Sequence, residues 1–277
     1  MAVMQYVQRN AIRERILLYG GPGTGKSTAV ASIVLHTPNV HHYIIDNEID
    51  NYERIFAEDE RFAAVVEAAN YTIYPVDNTD WKEQLNAAQD AKDRAEAGDW
   101  IHFDMITDTW EAVQRWFTMS IFDADLSDYF LEVRKDMQDH NEAAKNDRQL
   151  KERKNLSPFE GFTDWSVINP EYKKLYAVFM GTKAHVTIVA EEDMLRKDED
   201  DKIKATFGGI NRKPKGQKKL GHVPHTVIHL SKNQRDEWFA NGVKDRGREL
   251  MDNVQFEDFA KAYLLKVAKW KMQKVGG

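Results

Sequence analysis

The sequence predicts an α/β protein with a mainly parallel central sheet flanked by helices. Three observations carry that prediction. Short apolar runs alternate with amphipathic segments from residue 16 to residue 104, and alternation of this kind builds βαβ units. The first run opens directly into a glycine cluster that is followed by a helix-forming stretch. The chain has 277 residues, 42% hydrophobic and 11% aromatic, enough for a large buried core.

The elements follow in order. Ile16–Tyr19 reads as a buried strand, Lys26–Leu35 as a helix, and His42–Ile45 as a second strand ending in Asp46-Asn47-Glu48. Residues 50–69 read as a helix and Tyr71–Val76 as a third strand. Residues 80–96 form a charged amphipathic helix that stops near Gly98, and Trp100–Phe103 is a strand leading into Asp104. Residues 108–155 are expected to be almost wholly helical. Their charged second half, Glu132 to Lys154, reads as a solvated face with i,i+4 pairs. A helix over 170–181 places Tyr172, Leu175, Tyr176 and Phe179 on its apolar side, and Val186–Ala190 is a strand. Residues 191–221 read as a long polar loop or hairpin. Thr226–Leu230 and Glu237–Ala240 read as late antiparallel strands, and Phe256–Lys274 as an amphipathic helix. No repeat or low-complexity linker divides the chain. The expectation is one domain over 1–277, with a helical insertion at about 108–182, a basic loop at about 191–221 and a C-terminal helix at about 256–274.

Composition removes whole classes of chemistry. The chain has no cysteine, which excludes disulfide scaffolds, thiolate zinc sites, Fe–S clusters and cysteine catalysis. The histidines do not recur at metal-ligand spacing. A net charge of −6 argues against a general coat of positive charge and leaves room for a local basic patch. No apolar run approaches the roughly 18 residues of a membrane span, and MAVMQYVQRNAIRER lacks the pattern of a signal peptide. A cytoplasmic protein without a membrane partner is expected.

The sharpest motif is Gly20-Gly21-Pro22-Gly23-Thr24-Gly25-Lys26-Ser27, a full match to G-x-x-x-x-G-K-[ST] between a strand and a helix. Its glycines let backbone N–H groups turn inward around a phosphate, and the following helix aims its positive end at the same anion. Lys26 is expected on the β- and γ-phosphates of a nucleotide and the Ser27 hydroxyl on Mg²⁺. Asp104 ends an apolar strand, where a carboxylate holds the same Mg²⁺, and Asp108 is expected to cap the helix after it. Glu48 stands just past the end of the strand after the cradle helix, on the crevice side of a parallel sheet. There a carboxylate polarises an attacking water. Asp46 is the neighbouring candidate, and both acids also suit the cap of a helix starting near Asn51.

Taken in order, Gly20 to Thr28, Ile45-Asp46-Asn47-Glu48 and Phe103-Asp104-Met105-Ile106-Thr107 resemble the RecA-type ATPase core. They are most similar to the short phage RecA-like ATP-binding proteins of the single-strand annealing and recombination group. Trp165-Ser166-Val167-Ile168-Asn169-Pro170-Glu171-Tyr172 resembles a W-x-V-I-N-x-x-Y-like segment of that group, and Lys244-Asp245-Arg246 its K-x-R element. The resemblance spans roughly residues 13–252. It implies a RecA-like P-loop fold and an Mg²⁺-dependent ATPase, with Gly20 to Thr28 binding ATP, Ser27 and Asp104 on the metal, and Glu48 as catalytic base. It further implies a ring or filament of identical subunits in which Lys244 and Arg246 reach a neighbour's γ-phosphate. The partners it implies are single-stranded DNA and a single-strand-binding protein, and a phage origin would place the protein in the host cytoplasm. The chain departs from the family in carrying Glu191-Glu192 where a Gln or His senses the γ-phosphate. Only about 15 residues precede the first core strand, so no separate N-terminal domain is expected.

Two other P-loop classes fit less well. An AAA+ motor places a Glu directly after the Mg²⁺ aspartate, and Met105 stands there. A nucleotide kinase needs an arginine-rich lid, for which Arg212 and Lys213 are a poor substitute. A DNA-packaging or remodelling motor and a nucleotide-gated binder with little turnover remain as alternatives.

Seven basic residues fall between Lys202 and Lys219 with no acid among them, and the stretch Glu191–Asp201 before them has seven acids against two bases. With the resemblance, this asymmetry assigns Arg212, Lys213, Lys215, Lys218 and Lys219 to single-stranded DNA phosphates; a solvated hairpin is the plainer reading. The C-terminal helix, with Lys261, Lys266, Lys269, Lys271 and Lys274, reads as a packed helix with a basic outer face, or as a surface for DNA or a second subunit.

Overall fold

The computed structural model describes residues 13–48, 50–147, 149–153, 159, 163–217 and 220–269. Among the described residues nine strands form one sheet: β1 (Arg15–Gly20), β2 (His42–Asp46), β3 (Tyr71–Pro75), β4 (Trp100–Asp104), β5 (His185–Met194), β6 (Arg212–Pro214), β7 (Thr226–Lys232), β8 (Trp238–Asp245) and β9 (Val254–Phe256). The order is β3-β2-β4-β5-β1-β7-β8-β9, with β6 paired to the end of β5. From β3 to β7 the strands run parallel, and β6, β8 and β9 run against their neighbours.

The helices are α1 (Lys26–His36), α2 (Asn51–Glu58), α3 (Ala63–Ala68), α4 (Trp81–Arg94), α5 (Thr109–Phe122), α6 (Leu126–Asn146), α7 (Thr163–Gly181) and α8 (Asp201–Phe207). The period-2 alternation of β1 builds two cores. Leu17 and Tyr19 join Ile45, Phe103 and Ile188 under α4, α5 and α7. Ile16 and Leu18 join Ile44, Val189 and Phe259 under α1 and α2. All six residues of β1 are buried, as a strand covered on both faces requires.

Three expected elements need correction, and two stand with added detail. The helix expected over 50–69 breaks at Asp59, whose extended backbone and side-chain bond to Arg61 N close one helix and start a turn. The helix expected from 170 begins at Thr163 and carries Pro170 inside; Trp165, stacked on Trp110, ties the added turns to α5. Of the loop or hairpin expected over 191–221, the structure forms the hairpin: β5 continues to Met194, and α8 and β6 fold back on it. The late strands β7 and β8 pair antiparallel as expected; β7 itself runs parallel to β1, and β9 turns back on β8. Phe256 ends a strand, and the helical turn behind it spans only Phe259–Leu265, capped by Asp258, which accepts from Lys261 N and Ser32 Oγ. Residues 266–269, with Lys266 and Lys269, are turn, bend and irregular chain rather than helix, and the end of the expected helix, with Lys271 and Lys274, lies outside the described residues.

Candidate functional site

Register alone gathers the site at one end of the sheet. Gly20 stands level with Glu191 on one side and Leu230 on the other, and Asp46 stands level with Asp104. These are the carboxyl ends of the parallel strands, where an open α/β sheet forms its crevice.

Gly20 must be glycine, because a Cβ there would lie 2.2 Å from the Leu230 carbonyl oxygen. Gly25 turns the chain into α1 at φ +80, with the Trp238 indole 3.4 Å from where its Cβ would stand. The first turn of α1 has no acidic side chain and no side-chain cap, so its N–H groups face the cradle for an anion. Thr24 Oγ1 donates to Gly21 O at 2.8 Å and fixes the turn. Lys26 Nζ folds back onto the Gly20 and Gly21 carbonyls at 3.1 and 2.9 Å. A phosphate entering the cradle offers this ammonium a charged acceptor in place of two neutral ones.

Asp104 is 1% exposed. Its Oδ2 accepts from Tyr52 Oη at 2.7 Å, and the Ser27 hydroxyl also bonds to it. Burial pushes its pKa up to about 6, with Glu48 and Asp46 adding to the rise and the two hydroxyls opposing it. A carboxylate held this way gains most from a cation. Ser27 Oγ and Asp104 are hard oxygen donors on one edge of the cradle, a fit for Mg²⁺, which takes one or two protein ligands together with substrate phosphates. No cluster of three His, Asp or Glu among the described residues would hold a metal unaided.

Asp46 and Glu48 separate by environment. Asp46 is fully buried, and its oxygens accept from Glu48 N and Tyr52 N, both at 3.1 Å. It holds the loop entering α2. Glu48 is exposed at the mouth of the crevice, its Oε2 accepting from Asn51 Nδ2 at 3.3 Å. Desolvation raises its pKa, Lys26 opposes the rise, and Asp46, Glu191 and Asp108 add to it. A carboxylate with a raised pKa beside a cradle is the form a general base takes. Asp108 occupies the N-cap position of α5 but makes no side-chain cap bond. This corrects the expected cap: its carboxyl faces Glu191 and Lys215 instead, and burial raises its pKa.

Several positioning residues were not read from the sequence. Asn47, 3% exposed, donates to Met105 O at 2.5 Å and accepts from Met105 N, so it clamps the cis peptide that follows Asp104. Tyr52 holds Asp104, Asn51 Nδ2 donates to Ser27 Oγ at 3.1 Å, and Thr107 Oγ1 accepts from Glu191 N at 2.8 Å. Asn47 and Thr107 stand in the segments that follow β2 and β4, where nothing marks them as clamps, and Asn51 and Tyr52 lie in the first turn of α2 with no local mark of their role.

Lys244 and Arg246 are not brought to their own cradle. Lys244 pairs with Val227, three residues down β7 from Leu230, which is about 10 Å along a strand; Arg246 lies further on. Lys244 Nζ donates to the carbonyls of Gly221, His222 and Pro224, and burial lowers its pKa. The basic run is also folded onto the acids before it. Arg212 pairs with Glu192 at 3.4 Å, Lys213 with Glu199 at 2.5 Å and Lys215 with Glu191 at 2.6 Å. Lys218 and Lys219 lie outside the described residues. Between this hairpin and the start of α5 and α6 lies a cleft of about 700 Å³, with Asp108, Trp110, Phe130, Lys213 and Lys215 in its walls.

No protein-family model matches the chain, and no curated protein does. Among solved structures it is similar to the crystal structure of the RadB recombinase, at 13% identity over 88% of this chain and 86% of that one, with a TM-score of 0.51. It also aligns with an ATPase from the type III secretion system of pathogenic bacteria. That match has 13% identity over 81% of this chain and 54% of that one, with a TM-score of 0.40. The likeness to the first of these gives the chain a RecA-like α/β fold, a mostly parallel sheet flanked by helices.

Proposed function

We propose that this chain is an Mg²⁺-dependent ATPase that couples nucleotide state to single-stranded DNA in recombination or annealing of the phage type. The observation that carries the ATPase reading is the convergence of Lys26, Ser27, Asp104 and Glu48 on one cradle at the carboxyl end of the sheet. The backbone N–H groups from Gly20 to Thr28 bind the phosphates, and Lys26 neutralises charge on the β- and γ-oxygens. Mg²⁺ held by Ser27 and Asp104 would supply Lewis-acid stabilisation of the transferring phosphoryl group. Glu48 takes a proton from water as its oxygen bonds to the γ-phosphorus and the bond to the β–γ bridging oxygen breaks.

Lys244 and Arg246 stand too far from their own cradle to serve it. In this reading they complete the site of a second copy, which makes a ring or filament the working form. The fold shared with the RadB recombinase supports a DNA substrate. Steady-state ATP hydrolysis with and without single-stranded DNA, with duplex as control, tests the coupling. Stimulation by single strands is the expected result, and equal rates in all three would refute it. A second reading, a motor or nucleotide-gated binder with a protein partner, draws on the pairing of Arg212, Lys213 and Lys215 with carboxylates. Those pairs leave less free positive charge for DNA than the sequence suggests.

A further inference from the structure

The end of β5 carries glutamates where a neutral sensor was expected, and the fold supplies a cation for the first of them. Glu191 lies beside Gly20 in register. Lys215 lies on the far side of Glu191: its backbone N–H donates to Glu191 O at 2.8 Å and its ammonium to Glu191 Oε2 at 2.6 Å. Gly20, Glu191 and Lys215 therefore occupy three adjacent rows, each about 4.8 Å from the next. The flexible four-carbon stem of a lysine spans the single row between Lys215 and the cradle mouth.

The electrostatics of the mouth give that ammonium a task. Glu48 feels the charges of Asp46, Glu191 and Asp108 there, and Asp108 that of Glu191, while Asp46 stands level with Asp104 in register. The cations among these groups are Lys26 and Lys215. A terminal phosphate must enter between these carboxylates. The Lys215–Glu191 pair is exposed, at 53% for the lysine side chain and 32% for the glutamate, and exposed pairs are weak. A phosphate group in a partly desolvated cradle is the stronger acceptor.

We propose that Lys215 leaves Glu191 for the terminal phosphate of a bound nucleoside triphosphate, and so serves as a second phosphate-binding cation supplied by the same chain. The inference rests on the ATPase reading above. It also gives the nucleotide a handle on the β5–β6 hairpin, because Lys215 directly follows β6 and its side chain lines the cleft against α5. A diphosphate lacks the group that Lys215 reaches, so the residue discriminates between the two nucleotides.

The test is equilibrium binding of ADP and of a β,γ-methylene analogue of ATP, both with Mg²⁺, to the full chain and to its Lys215→Gln and Lys215→Arg variants. The expected result is a loss of about tenfold in analogue affinity for Lys215→Gln, equivalent to about 1.4 kcal/mol, with ADP affinity unchanged and most of the loss recovered in Lys215→Arg. Equal losses for both nucleotides, or no loss for either, would overturn the assignment. A wild-type chain that binds neither nucleotide would overturn the ATPase reading itself, and the role of Lys215 with it.

Discussion

Replacing Asp104 with asparagine should stabilise the metal-free protein at neutral pH while removing Mg²⁺-dependent turnover. The carboxyl is 1% exposed, and its pKa rises from 3.8 to about 6, chiefly by burial. The folded chain therefore keeps this proton to a higher pH than the unfolded chain does. The stability it contributes is full below about pH 4 and is lost as pH rises through about 6. The gap between 3.8 and about 6 amounts to about 3 kcal/mol above pH 7. Asparagine keeps the shape and an oxygen to accept from Tyr52 Oη, and it never ionises. Urea unfolding of both proteins in chelator, at pH 4 and pH 8, measures the difference. The stability gap should be near zero at pH 4 and favour the variant by about 3 kcal/mol at pH 8. A gap that does not change with pH, or a variant less stable at pH 8, would refute the claim that a buried carboxylate is held there for a cation.

Three further outcomes follow from the geometry. Gly20→Ala places a Cβ 2.2 Å from Leu230 O; it should cost at least roughly 1–3 kcal/mol in thermal or denaturant unfolding and weaken nucleotide binding. Asn47→Ala leaves the Met105 N–H and carbonyl without their clamp; about 1–3 kcal/mol of stability should go, and kcat should fall more than nucleotide affinity. His42 is fully buried against His102 at 3.0 Å, and burial lowers its pKa to about 4. Because the folded state resists protonation there, stability should fall as pH drops from 6.5 toward 4, by about 3 kcal/mol. His42→Gln should make that limb shallower in a pH series of denaturant midpoints, with His102 and His185, whose pKa values burial also lowers, carrying the rest; a limb as steep as wild type would assign the acid sensitivity elsewhere.

What could be read from the chain was what local chemistry marks. The cradle from Gly20 to Ser27 is a contiguous motif whose glycines answer to close approach and left-handed backbone. Asp104 and Glu48 are acids at the ends of apolar runs, and alternation placed those runs in a parallel sheet. The residues that orient the site left no such mark. Tyr52 meets Asp104 across 52 positions and Asn47 clamps Met105 across 58, contacts that exist only once β2 and β4 lie side by side. The end of β5 reads as loop or hairpin because Glu191, Glu192 and Asp193 break the apolar pattern. It stays a strand because β6 pairs with it, Arg212 and Lys215 answer its charges, and His229 hydrogen-bonds Glu192. The direction of β7 is a property of connection rather than composition, so its apolar run did not distinguish parallel from antiparallel. The basic run was visible, but its neutralisation was not, because each partner comes from a neighbouring strand or loop.

The measurement that bears most directly on the central claim is ATP turnover by Glu48→Gln beside wild type and Lys26→Ala, with nucleotide binding measured on the same samples. The account predicts that Lys26→Ala loses ATP binding. Glu48→Gln should retain ATP and slow turnover by about 10²–10⁴-fold. Hydrolysis at the wild-type rate by Glu48→Gln would contradict the assignment of Glu48 as the base on which the proposed chemistry turns.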